Sequence, residues 1–241
     1  MCVYTRVLFV LLIPLVTSCQ KVLETATPDS QISYNDYYPS KLGFWVDYQV
    51  DSTRYIKSSL DPQPIITGTT IYIRELIEDT LIGFDTPYQF KVKVFTRKTL
   101  TEPWVFSKNI SIQPLSDRIT KNVDNIRLVK LHSPINAALL WKGNKHIDTT
   151  LNKLYGDWDY KYIDLFQTKT ISSIKFDSTV TVLQHLDVNA IEKTHFYEVY
   201  TKNIGLVYAE YNKLEKQNAN NGWDKPENGY TVVVKVIDWK R

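Results

Sequence analysis

The constraint that most narrows what this chain can fold into is the period of its apolar residues, which is two over most of its length. In Phe90-Lys91-Val92-Lys93-Val94 apolar and charged side chains alternate without a break, the pattern of a strand with one face on a core and one in water. Residues 44–50 behave alike, with Phe44, Val46 and Tyr48 on one face and Trp45, Asp47 and Gln49 on the other. Further strands are predicted over 52–58, 70–76, 89–96, 104–112, 126–132, 157–166, 179–186, 193–201, 205–211 and 230–239. Asp61-Pro62-Gln63-Pro64 and 139–144 carry turn residues, and the Asn-, Gly- and Pro-rich stretch 217–229 reads as a long exposed hairpin loop. The last strand is apolar on both faces: Tyr230, Val232, Val234 and Val236 on one, Val233, Ile237 and Trp239 on the other with Thr231 and Lys235. That suits a sheet curving round something. A helical turn is expected only over 116–124, with Ser116 as its cap. Sixteen Tyr and six Trp against a single Met are the composition of a pleated sheet. The expected fold class is mainly β: a curved antiparallel sheet, half-barrel or sandwich, with at most one or two short helices.

The first residues follow another logic. Arg6 supplies a positive charge, Val7 to Val16 is apolar apart from Pro14, and Thr17-Ser18-Cys19 follows. Ten residues are too few to cross a bilayer as a helix, which takes about 20, but they make the apolar stretch of a cleaved signal peptide. Val16-Thr17-Ser18-Cys19 resembles the lipobox of bacterial lipoproteins. The resemblance implies cleavage after residue 18, a diacylglyceryl group on the Cys19 thiol and acylation of the new amine. Each buried CH₂ contributes about 0.8 kcal/mol, so two or three chains hold a protein on a membrane where one is marginal. Gln20, where an Asp would favour the inner membrane, implies the outer membrane. One acid and one base in residues 20–24 favour its periplasmic face over surface exposure.

The expected organisation is a signal peptide over 1–18, a lipidated Cys19 with a tether to 36, and a β-rich domain over 37–241. Whether that domain is one unit or two, divided near 115–150, stays open. Cys2 leaves with the signal, so Cys19 is the only cysteine of the mature chain. A disulfide within it, a cysteine metal cluster and a catalytic thiol are thereby excluded. Losing Arg6 lowers the formal charge from +3 to +2. The scattered Lys and Arg give no argument for nucleic acid.

Part of the chain also resembles a group of small exported lipoproteins. Tyr38-Pro39 with Gly43-x-Trp45-x-x-Tyr48, Leu154-Tyr155-Gly156-Asp157-Trp158, Thr179 to Val182, and Glu198 to Tyr208 follow that group's pattern. Its penultimate hairpin reads roughly Glu-x-Tyr-Ala-x-x-Val-Gly-Leu-Val. This chain departs from it with Thr201 for Ala and Ile204 before Gly205. The resemblance implies an envelope location and a curved antiparallel sheet, similar to the half-barrel of lipoprotein-localisation factors, wrapped over a helix or a hydrophobic concavity. It implies no catalytic residue.

Chemistry-bearing motifs are few. His132, His146, His185 and His195 lack metal-ligand spacing, although His185 and His195 stand near the two ends of one hairpin. Glu75, Glu78 and Asp79 cluster, and Asp157 and Asp159 flank Trp158. Carboxylates beside aromatics suit a glycan hydrolase or glycan-binding cleft, and equally a wet sheet face. No nucleophile elbow, phosphate loop or dinucleotide fingerprint occurs. Trp223, on a polar loop, is the candidate contact for a partner, a glycan or a membrane surface. The expected function is a non-enzymatic envelope lipoprotein without metal or cofactor, binding a lipid-like ligand or a partner protein. The alternative is the glycan-acting module.

Overall fold

The computed structural model describes residues 34–58, 63–82, 88–148, 150, 155–220 and 222–240. The signal peptide, Cys19, most of the expected tether and Leu154 lie outside the described residues. Among the described residues a single 3-10 turn, Tyr34–Tyr37, precedes twelve strands. These are β1 Trp45–Ile56, β2 Ile65–Leu81, β3 Gln89–Arg97, β4 Val105–Pro114, β5 Arg118–Val123, β6 Ile126–His132, β7 Leu140–Lys142, β8 Asp159–Ile171, β9 Ile174–Val188, β10 Glu192–Thr201, β11 Gly205–Glu215 and β12 Asn228–Trp239. All twelve join one antiparallel sheet in the order β6-β5-β4-β3-β2-β1-β12-β11-β10-β9-β8-β7. Apart from β6 and β7, strands that follow one another in sequence pair with each other, and β12 returns to pair with β1. The ladder is interrupted only between β6 and β7, so the sheet is a nearly closed barrel. The expectation of a β fold holds. The sheet wraps further than a half-barrel, and among the described residues it encloses no α-helix.

Side chains alternate between the inside and outside of such a barrel. Val92 and Val94 are buried while Lys91 and Lys93 reach out to Glu78. Two expectations fail for local reasons. Residues 118–123 are strand, not helical turn. Asp124 and Asn125 both take positive φ, at 51° and 64°, between the paired residues Val123 and Ile126. That is the two-residue hairpin turn whose twist suits flanking strands. Likewise the segments expected as separate strands on either side of Asp51 form one twelve-residue strand, β1. A third correction concerns Trp239. The register of β12 on β1 shifts between Asp47 and Tyr48, setting Val236 opposite Tyr48 and Trp239 opposite Val46. The extra residue brings Trp239 into the same apolar cluster as Val236.

The open seam is closed by other means. The Val129 N–H donates to the Gly143 carbonyl at 2.7 Å, and the Trp141 indole N–H donates to the Val129 carbonyl at 3.1 Å. The Tyr162 hydroxyl then takes the place of a strand residue. It accepts from the His132 N–H at 2.9 Å and donates to the His132 carbonyl at 2.7 Å. Trp141 packs on Tyr162 with ring centroids 4.8 Å apart.

Antiparallel alternation gives the barrel two ends. The proximal end carries Tyr34–Tyr37, the β10–β11 turn and the end of β12. Tyr37 is fully buried there, its hydroxyl donating to the Ser178 carbonyl at 2.8 Å. Pro39 covers Gly205, where φ is 95° and a Cβ would lie 2.8 Å from the proline ring; the position requires glycine. The distal end carries residues 98–104, 124–125, 189–191 and 216–227. If the Tyr162 hydroxyl closes the seam, Tyr162→Phe destabilises the fold by about 1–3 kcal/mol. Urea denaturation should show a lower midpoint with an unchanged slope; an unchanged midpoint would remove Tyr162 from the closure.

Candidate functional site

The barrel interior holds charge. On β10 the inward residues are Phe196, Glu198 and Tyr200, all buried. Glu198 sits among apolar neighbours, so its carboxylate needs partners. It finds the ammonium of Lys130, the Tyr200 hydroxyl at 2.6 Å and the Tyr211 hydroxyl at 2.5 Å. Lys130 reaches it because β6 bulges. Leu131 pairs with Ile119 and Val129 with Thr120, leaving Lys130 as the extra, unpaired residue, and the bulge turns its side chain inward. A second pair, Lys121 and Glu75, lies nearby at 2.6 and 2.9 Å. Both pairs line a cavity of about 170 Å³ together with Tyr38 and Tyr48.

Burial alone pushes the Glu198 carboxyl up, but Lys130 and the two tyrosine hydroxyls outweigh it and hold the group below its ordinary value. Burial pushes the Tyr38, Tyr48, Tyr200 and Tyr211 hydroxyls well above the phenol range, helped by the carboxylates Glu75 and Glu198 at Tyr38 and Tyr48 and by Glu198 at Tyr200 and Tyr211. They remain protonated donors at any physiological pH. The cavity is close to the roughly 150 Å³ that takes a benzene-sized guest, and below the roughly 300–1,000 Å³ of ordinary ligand sites.

The sequence candidates are dispersed. Glu75 faces inward, Glu78 is held outside by Lys91 and Lys93, and Asp79 bonds the Thr80 N–H. His185 and His195 stand one register step apart, since His195 pairs with Leu186 and Phe196 with His185. They stack on different partners, His185 on Trp158 at 4.5 Å and His195 on Tyr197 at 4.8 Å. Asp157 and Asp159 do meet. Both contact the Lys142 ammonium, at 3.2 and 3.0 Å, beside an open groove of about 440 Å³ that includes Trp158 and His185. Donating to the Asp159 carboxylate and then to that of Asp157 holds the Lys142 ammonium above its ordinary value. Trp223 lies on the distal end, half-buried, with the Lys216 ammonium 4.6 Å from its ring centroid. The remaining indoles serve the walls: the Arg74 guanidinium sits 4.2 Å from the Trp45 ring and 4.8 Å from the Trp104 ring.

Glu198 and Lys130 escaped the sequence reading as a site. A lone carboxylate on the inward face of an apolar strand was the available signal for Glu198. Nothing local marks Lys130, whose orientation depends on a bulge.

No family model matches the chain, and no curated protein matches it. Among solved structures it is similar to a protein of Bacteroides fragilis described as a proposed exported protein with a YmcC-like fold. That match has 11% identity and a TM-score of 0.40, covering 84% of this chain and 99% of that one. It is similar also to a protein of Parabacteroides distasonis described as a proposed lipoprotein, at 11% identity and a TM-score of 0.39, covering 85% and 98%.

Removing one partner of a buried ion pair costs about 3–5 kcal/mol, whereas replacing both costs far less. Lys130→Met should therefore destabilise strongly in chemical denaturation, and Lys130→Met with Glu198→Gln should recover most of the loss. Because the folded Glu198 titrates below its ordinary 4.5, its contribution is present above that pH and is lost as pH falls through the folded value. The double variant should lose less stability than the parent on acidification below pH 4.5; parallel acid limbs would rule the pair out as the source.

Proposed function

We propose that this protein is a lipid-anchored lipoprotein of the bacterial envelope, on the periplasmic face of the outer membrane, whose barrel is a scaffold for a partner protein. The observation that carries the reading is the filled interior. Its two ion pairs satisfy each other, and the space left is too small for an acyl chain, which favours a partner over an enclosed lipid. Binding then falls to the outside. The distal end offers a surface for it: Leu186, Val188 and Ile191 are 55%, 48% and 47% exposed on the β9–β10 hairpin. The Lys216 N–H bonds the Ile191 carbonyl at 2.9 Å, which sets this hairpin beside the loop of Trp223. Exposed apolar side chains around an aromatic are the ordinary material of a docking surface. The lipobox supports the anchor.

A second reading rests on the groove of Asp157, Trp158 and Asp159, a glycan-binding or glycan-cleaving module. Both carboxylates engage one lysine, and His185 covers a face of the Trp158 ring, so the groove presents neither a free acid pair nor an open aromatic platform.

A photo-crosslinking residue at position 223 or 191 in cells should give one discrete protein adduct that a residue at position 161 does not. Native mass spectrometry of the purified chain should show the protein mass without added lipid beyond Cys19. A stoichiometric non-covalent lipid would overturn the scaffold reading in favour of lipid carriage.

A further inference from the structure

The proximal end is the one at which the described chain enters the barrel. Leu42 and Leu81 are 49% and 41% exposed there, Ile82 is 92% exposed and Tyr88 41%. Leu81 pairs with Gln89 at the end of the β2–β3 ladder, which places Leu81, Ile82 and Tyr88 together at that end of the two strands. Leu42 lies on the adjoining chain, where the Gly43 N–H bonds the Ile77 carbonyl at 2.8 Å. Beside them runs an open groove of about 660 Å³ lined by Lys41, Lys240, Trp239 and Lys202, whose ammonium lies 3.9 Å from the groove's one acid, Asp36. The Lys240 ammonium donates to the Gly43 carbonyl at 3.0 Å, which fixes a positive charge next to Leu42. Lysines beside exposed leucine, isoleucine and tyrosine are what a protein places at a membrane interface. Each lysine near an anionic surface strengthens binding about fivefold.

We infer that the proximal end rests on an anionic phospholipid surface, with Leu42, Leu81, Ile82 and Tyr88 meeting the headgroup layer and Lys41, Lys202 and Lys240 meeting lipid phosphates. This rests on the reading of Cys19 as the lipid anchor. The chain reaches this end at residue 34, fifteen residues after Cys19, a span of at most about 50 Å. The distal end is also apolar and carries Lys193, Lys216 and Lys225, but the chain that leads from Cys19 enters at the proximal one. The arrangement leaves Trp223 pointing away from the bilayer.

The mature chain has no cysteine but Cys19, so a single probe is simple to place. Ile82→Cys, and Val188→Cys as the distal control, are labelled with an environment-sensitive fluorophore. Each is then mixed with vesicles of phosphatidylcholine and phosphatidylglycerol. The Ile82 probe should shift to shorter wavelength and be quenched by spin labels on the lipid chains, while the Val188 probe should not. The combined Lys41→Gln, Lys202→Gln and Lys240→Gln change, or vesicles of phosphatidylcholine alone, should reverse most of the shift. A probe at Ile82 that stays in water on vesicles overturns the docking, as does equal quenching at both positions. The mass of the protein reports the anchor separately. Acylated Cys19 with an unshifted Ile82 probe defeats the docking alone, and an unacylated chain that still shifts the probe defeats the anchor alone.

Discussion

An antiparallel sheet of twelve strands has two edges, and unpaired edge groups are costly when buried and adhesive when exposed. Here both edges face each other. The remedy is not a thirteenth strand but three groups that imitate one: a loop carbonyl from Gly143, the Trp141 indole and the Tyr162 hydroxyl. The hydroxyl both accepts and donates on His132, as a backbone residue would. The rest of the architecture depends on this closure, because the interior of a barrel is dry only once its seam is shut.

An interior screened by the sheet sets the terms for what it contains. Lys130 and Glu198 would be unaffordable apart, and together they need the Tyr200 and Tyr211 hydroxyls to use the remaining lone pairs. Tyr162, Tyr200 and Tyr211 therefore have two tasks. Their rings pack the inside of the barrel, and their hydroxyls satisfy polar groups that the strands carry there. The same filling leaves the outer walls and the two ends as the surfaces able to meet anything larger than a small ring.

Much of the sheet was legible in period-two runs such as 90–94, and the β10–β11 hairpin in Glu198 to Tyr208. What escaped has a common cause. A bulge adds one residue and reverses the face of all that follow. It moved Trp239 to the side of Val236 and turned Lys130 inward, and counting alternation detects neither. β5 was lost to its brevity: six residues behind a plausible cap look helical unless Asp124-Asn125 is recognised as a hairpin turn. The interior pair joins residues 68 apart in sequence, so no local pattern contained it. Trp223 was correctly read as a loop residue, but its place at the end opposite residue 34 follows only from the topology.

The pairing of β1 with β12 has a consequence for how the protein is made. The first strand, at residues 45–56, finds one of its two neighbours at residues 228–239. A chain is synthesised in order, so its first strand must wait, paired on one side only, until nearly the last residue has been added. Completion of the fold is thereby tied to completion of the chain. A chain cut short before β12 would leave the backbone edge of β1 unpaired and adhesive.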